Sequence, residues 1–316
     1  MASIFAAVGV APLTMTSYAE EKIGRPVRII SLSFSGEPLE KIAALIDREA
    51  AKGADLIALP EIWPGDTPET LDGPTVTAMA RLAKKHRVYI VSPMYRKQGN
   101  KVFNTAVLLD REGNVACLYD KVYPFWSEWD KHKNLEPGSD APAYQADFGR
   151  VGFAICFDAN FPEVWKRLAD QGAELVIWSS AYSARSTLQS HALINHFYIV
   201  TSTLARDCLV YDITGEKVLD KKSDGINVSR ITVDLDRTIH HLDFNAEKRD
   251  KLLKEHADDV MLEKSLPREA WFVLKARRPG VSARALAHEY GIEELRDYIS
   301  RSRRDIDKRR GMKLPQ

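Results

Sequence analysis

The chain reads as an α/β protein of two similar halves whose sheets are covered by helices. Three observations predict this. Short β-like apolar runs alternate with stretches of helical period, antiparallel hairpins stand at the edges, and the strand-helix-strand scheme of the first half recurs in the second.

The first strand is Pro26–Phe34, PVRIISLSF. Leu39, Ile42, Ala43, Ile46 and Ala50 follow at helical spacing along one apolar stripe, with Asp47, Arg48 and Glu49 off it. Asp55–Pro60 (DLIALP) is a buried strand, Val76, Met79, Ala80 and Ala83 mark a second helix, and Val88–Pro93 is the next strand, so two parallel crossovers are implied. Thr105–Leu109 and Val115–Tyr119 flank the Gly-containing turn 110–114 as a hairpin. The second half repeats the scheme with strand Val151–Cys156, helix Phe161–Gln171, strand Leu175–Ser179, short helix Ser190–His196 and strand Phe197–Thr203. A hairpin turning at Thr214-Gly215-Glu216 and a last strand, Asn227–Leu235, close it. Three segments result: a leader 1–25, one domain 26–240 and a helical extension 241–316 ending in a basic tail.

With 316 residues, 45% apolar, the chain supports a sizeable core, and Lys+Arg 45 against Asp+Glu 44 gives no bulk-charge argument for nucleic acid. The neutrality is a sum of unlike parts. Residues 275–316 hold twelve Lys/Arg and six Asp/Glu, so the tail carries +6 and residues 1–274 carry −5. Asp305 and Asp307 interleave its arginines and no aromatic residues stand around them, which favours a solvated helix or a subunit-contacting arm over nucleic acid. No apolar run reaches the ~18 residues of a membrane span. Residues 4–14 are mostly apolar and Ser17-Tyr18-Ala19 looks like a cleavage site, but no Lys or Arg precedes Lys22 and Pro12 interrupts the run. The expected compartment is the cytoplasm, with secretion the alternative.

Three cysteines, Cys117, Cys156 and Cys208, are too few and too scattered for a disulfide framework or a Cys-rich zinc site. Cys156 differs in its company. It ends Gly152-Phe153-Ala154-Ile155-Cys156 in a strand-turn-helix setting like a nucleophile elbow, and Pro162-Glu163 fits a helix start whose dipole is expected to favour the thiolate. Glu61 ends the strand before it in DLIALPE, and Lys121 follows the hairpin in Tyr119-Asp120-Lys121-Val122-Tyr123-Pro124. Each has a plainer reading alone: a core cysteine, a capping carboxylate, a solvated ammonium. Together, at the strand ends where an open α/β sheet presents its site, they supply a nucleophile, a base and a cation for an oxyanion.

On these residues the sequence resembles the nitrilase superfamily of carbon-nitrogen hydrolases over about residues 26–240. Leu59-Pro60-Glu61, Asp120-Lys121-Val122 and Gly152–Cys156 with Asp158, Phe161, Pro162 and Glu163 match its three motifs in order. The resemblance implies a four-layer α-β-β-α sandwich, a Glu61-Lys121-Cys156 set, and a second glutamate. Lys121 and Glu128 fall in a Lys-x-x-Pro-x-x-x-Glu pattern, so Glu128 is expected to fill that place, with Glu136 before Pro137-Gly138 as the alternative.

The implied chemistry is hydrolysis of a small amide through a thioester, with no metal or other cofactor. Glu61 takes the thiol proton, and Lys121 with the backbone N–H of Phe157 holds the oxyanion. Phe157-Asp158 after the cysteine resembles amidase-type members, whereas nitrile-cleaving members tend to have Trp-Glu there. Asn160 and Tyr123 stand where many members have arginine and histidine, so Arg185 is a candidate substitute for a carboxylate-binding arginine. Trp63, Trp126, Trp129, Phe157 and Tyr182 are candidates for an aromatic wall around an apolar acyl group. A homo-oligomer is expected, with the tail as its contact arm. An inactive scaffold is the reading of another class, and a redox role lacks a Cys-x-x-Cys pair.

Overall fold

The computed structural model describes residues 22–312, so the expected leader and its cleavage-like site lie almost wholly outside the described residues. The chain runs β1 (Pro26–Ser33), α1 (Leu39–Ala50), β2 (Leu56–Ala58), α2 (Pro74–His86), β3 (Tyr89–Gln98), β4 (Lys101–Leu109) and β5 (Val115–Asp120). Then come α3 (Glu128–Lys131), β6 (Ala143–Ala146), β7 (Gly149–Ile155), a 3₁₀ turn over Cys156–Asn160, α4 (Pro162–Asp170), β8 (Leu175–Ser180) and α5 (Arg185–Asn195). β9 (Tyr198–Thr203), β10 (Asp207–Tyr211), β11 (Lys217–Lys222) and β12 (Asn227–Asp234) complete the two halves.

Two six-stranded sheets form, in the orders β12-β1-β2-β3-β4-β5 and β11-β10-β9-β8-β7-β6. In each, three consecutive strands run parallel and the next two return antiparallel, so the halves match as read from the sequence. Alternation along β1 explains the layering. Val27 and Ile29 enter the core between the sheets, whereas Ile30 and Leu32 pack with Ile42, Ile46, Val76 and Met79 of α1 and α2. On the other side Trp165 and Leu168 of α4 and Leu188 of α5 cover the second sheet, which completes the α-β-β-α sandwich. A polar seam ties the sheets: the hydroxyls of Ser31 and Ser179 donate to the carbonyls of Thr201 and Leu59 at 2.7 and 2.8 Å. β1 is zipped along its length to β12, from Pro26↔Asp234 to Ser33↔Asn227.

Two expectations change. The helix expected over Ser190–His196 begins at Arg185, because the loop 181–184 turns through a left-handed Ala184 (φ 42°) straight into it. The extension is not simply helical. β13 (Thr238–His241), α6 (Ala246–Glu255), β14 (Val260–Leu266), β15 (Trp271–Ala276), α7 (Ala283–Glu289) and α8 (Leu295–Arg310) include a sheet ordered β13-β15-β14. Phe272 and Leu274 alternate into its own small core with Leu252, Val260 and Ile292. Leu295 joins the main core and the Arg296 guanidinium donates to the Ala173 carbonyl at 2.6 Å, so the base of α8 is anchored on the second half. Among the described residues, no helix is long and apolar enough to cross a membrane.

Candidate active site

Glu61, Lys121, Glu128 and Cys156 come from four separate segments and are all buried. The Lys121 ammonium donates to Glu61 Oε1 at 2.8 Å and to Glu128 Oε1 at 2.5 Å. Glu128, from α3, also accepts from the Phe125 backbone N–H at 2.8 Å. Of the two candidate glutamates it is Glu128 that contacts Lys121, while Glu136 is half-exposed and faces Lys101 at 3.5 Å. The loop carrying Glu136 serves the site differently. A Cβ on Gly138 would lie 2.0 Å from the Asp120 carbonyl, so only glycine lets this loop close against the lysine segment.

Burial pulls an ammonium's pKa down, but Glu61, Cys156 and Glu128 around Lys121 outweigh this and hold it above the ordinary lysine value. Lys121 is thus a fixed cation below that value. It neutralises one of the two carboxylates.

Cys156 follows β7 and has φ 46°, the left-handed region that non-glycine residues seldom occupy. Asp158 holds this turn. Its buried carboxylate accepts from the Ile155 and Tyr123 backbone N–H groups at 2.8 and 2.9 Å and from the Tyr119 hydroxyl at 2.7 Å. One side chain therefore joins the cysteine elbow to the segment just after Lys121. Burial lifts the Asp158 pKa to about 6 against these donors. The Trp178 indole N–H donates to the Cys156 carbonyl at 3.3 Å and the Trp165 indole to the Asp158 carbonyl at 3.0 Å, fixing the turn from below.

The thiol is not the thiolate expected from a helix dipole. Cys156 is the first residue of the 3₁₀ turn that, with Phe161, separates it from the start of α4, and burial first, then the charge of Glu61, push its pKa up to about 12 against the pull of Lys121. Attack by this sulfur needs a base that takes its proton at the moment of reaction. Glu61 stands beside it, its second oxygen accepting from the Ala181 backbone N–H at 3.1 Å. That amide and the Ser180 hydroxyl also favour negative charge on the sulfur.

Of the five aromatic residues named from the sequence, Trp126 and Phe157 share one aromatic chain. Trp126 is 67% exposed, and its ring begins a chain through Phe125 (5.5 Å between centroids), Phe157 (5.2 Å) and Phe161 (5.3 Å) to Tyr123 (3.7 Å). Tyr182, on the next loop, is half-exposed and packs its edge on Trp178. Trp63 does not join them: it is core, packed on Phe34 with its N–H on the Ser92 hydroxyl at 3.1 Å. Trp129 donates to the Leu135 carbonyl at 3.1 Å. The half-exposed Arg185 guanidinium pairs with Asp220 of β11 at 2.9 Å. A cavity of about 700 Å³ opens beside the elbow between Tyr123, Asp140, Pro162 and Glu163, but none of the four central groups lines it.

Two side chains not singled out in the sequence also touch this set. Asn104 on β4 donates to Glu61 and Glu128, and the Tyr95 hydroxyl on β3 reaches Glu128. Among the described residues no cluster of three His, Cys, Asp or Glu is arranged to hold a metal ion.

The sequence model of the family described as carbon-nitrogen hydrolase matches residues 35–240. A probable nitrilase of Schizosaccharomyces pombe is 34% identical over 119 residues, which is 35% of this chain and 43% of that protein, so the match spans less than half of it. A deaminated glutathione amidase of Synechocystis is 29% identical over 52% of this chain and 70% of its own. Among solved structures, an amidase mutant from Nesterenkonia with the acetamide moiety of fluoroacetamide added covalently at its active-site cysteine shares the fold. It has a TM-score of 0.58 and 17% identity, over 73% of this chain and 97% of that one.

Proposed function

The chain belongs to the carbon-nitrogen hydrolase family, and from that premise we propose that it hydrolyses the carbon-nitrogen bond of a small amide through a thioester on Cys156. The observation that carries the reading is Lys121 Nζ held at 2.8 and 2.5 Å from two buried carboxylates, beside a thiol that feels both Glu61 and Lys121. Glu61 accepts the thiol proton as sulfur bonds to the amide carbon, and Lys121 with the Phe157 backbone N–H stabilises the oxyanion. Glu61 returns that proton to the departing nitrogen, and ammonia or an amine leaves. Water, deprotonated by the same carboxylate, then attacks the thioester carbon; the C–S bond breaks, Glu61 returns the proton to the Cys156 sulfur, and the acid leaves. Glu128 keeps Lys121 in place. The deaminated glutathione amidase supports amides over nitriles, as does Phe157-Asp158 after the cysteine, while the relative named a probable nitrilase keeps nitriles as the second substrate class to assay.

The test is ammonia release from short aliphatic, aromatic and carboxylate-bearing amides and the matching nitriles, with intact-mass analysis of the enzyme during turnover. An adduct localised to Cys156 and lost in Cys156→Ala is expected. Turnover by that variant, or adducts only on Cys117 or Cys208, would overturn the assignment.

Phe157, Trp126 and Tyr182 form the substrate wall in this reading, and the enzyme works in the cytoplasm as a homo-oligomer with its C-terminal arm at the contact. Support for the arm is its composition: α8 carries exposed Ile299 and Ile306 among its arginines. Because β15 is the middle strand of its sheet and Leu295 is core, truncation belongs after Ser300. A smaller assembly on sizing, with the fold intact, is the expected result.

A further inference from the structure

The proposed chemistry gives no role to Asn104, a fully buried polar side chain that touches both carboxylates. Asn104 interrupts the apolar run of β4, directly opposite Tyr95 of β3. Lys121 extends the next strand, its backbone N–H donating to the Asn104 carbonyl at 2.8 Å. Tyr95, Asn104 and Lys121 therefore stand in a row across three strands, on one face. All three reach Glu128, at 3.4, 2.9 and 2.5 Å.

Asn104 alone of the neutral side chains in this row also reaches the other carboxylate, donating from the same amide nitrogen to Glu61 Oε1 at 2.8 Å. Both amide hydrogens are thus spent on carboxylates, while Oδ1 is buried with no partner. The amide cannot be turned over, since that would aim a carbonyl oxygen at two anions. Two carboxylates against one ammonium leave the set with a net negative charge before any thiol proton moves. A second cation would balance it but would weaken Glu61 as a base. A neutral double donor spans both anions and lowers the basicity of Glu61 less than a full positive charge would.

We infer that Asn104 is a positioning residue of the reaction, its amide binding Glu61 and Glu128 into one unit so that Glu61 stays aimed at Cys156 and able to take its proton. The inference rests on the reading of Glu61 as base. The groups facing Glu61 are Lys121, Glu128, the Cys156 thiol and the Tyr95 and Tyr182 phenols, with Asp66, Asp158 and His132 one layer further out.

The experiment uses the full chain carrying Asn104→Asp or Asn104→Leu. It reads kcat and KM for amide hydrolysis and, separately, the rate of Cys156 alkylation by iodoacetamide from pH 4 to 9. A loss of roughly 10–100-fold in kcat with KM nearly unchanged is expected. Removing donors from carboxylates also moves the acidic limb of the alkylation profile to higher pH, further in the Asp variant, which adds a like charge. A merely structural asparagine would leave that limb in place. Should either variant fail to melt cooperatively, Asn104→Ser, which keeps one donor, replaces it with a smaller shift expected. Folded variants with an unshifted limb overturn the inference, whatever their kcat. A wild-type chain that cleaves no amide would sink the functional reading alone, because alkylation still reports what Asn104 does to Glu61.

Discussion

Replacing Lys121 by methionine keeps much of the side chain's length and apolar stem but removes the cation from between Glu61 and Glu128, at 2.8 and 2.5 Å from it. Two buried carboxylates are then left facing one another with only neutral donors. Removing one partner of a buried ion pair costs ~3–5 kcal/mol, which for a chain of this size lowers Tm by on the order of 10 °C. The loss has a pH signature. Without the ammonium, the carboxylates bind a proton more readily folded than unfolded, so the folded state gains relative stability as pH falls. The deficit against wild type is therefore largest near pH 8 and shrinks toward pH 5. Adding Glu128→Gln to Lys121→Met removes the surplus charge and is expected to restore ~1–3 kcal/mol, a coupling read from a double-mutant cycle by thermal denaturation. A deficit equal at both pH values, or a double variant less stable than Lys121→Met alone, would refute this charge balance.

Asp158→Asn turns an amide N–H toward a pocket of three donors and should cost ~2–4 kcal/mol by chemical denaturation. Since the Asp158 pKa is lifted from 3.8 to about 6 in the fold, its contribution is greatest below 3.8 and declines as pH rises through about 6; a pH-independent gap between variant and wild type would contradict this. Trp126→Ala should raise KM about tenfold for amides with aromatic acyl groups and little for acetamide, with kcat steady; an equal effect on all amides would argue against a substrate wall. Ala or Ser at Cys208, a buried cysteine outside the site, should leave turnover unchanged, and lost activity in a folded Cys208→Ser variant would count against Cys156 as the sole working thiol.

The three central residues are legible in the sequence because each is a polar group at the end of an apolar strand, where leaving it without a task is costly. Glu128 needed only a local spacing. Asn104 and Tyr95 depend on the register of three strands, which no local pattern carries, although a single asparagine inside FNTAVLL is itself a sign. Arg185 looked free because its partner, Asp220, lies 35 residues away on β11. The expectation of a thiolate failed on depth: the elbow and α4 are where they were read, but the sulfur is buried beside a carboxylate, and that outweighs a dipole five residues off. The third sheet lies in the segment read as a helical extension, where Phe272 and Leu274 alternate inward as in any half-buried strand.

The pairing of β1 with β12 bears on how the chain is made. Strand Pro26–Ser33 is synthesised about 200 residues before its partner, Asn227–Asp234. At ~5–20 residues per second, that edge waits roughly 10–40 s for its neighbour. Until then the first sheet has an open flank rich in isoleucine and leucine, the kind of surface on which nascent chains associate wrongly. Damage to β12 should therefore appear in the yield of folded protein before it appears in turnover, because that strand closes the sheet last and lies apart from the chemistry.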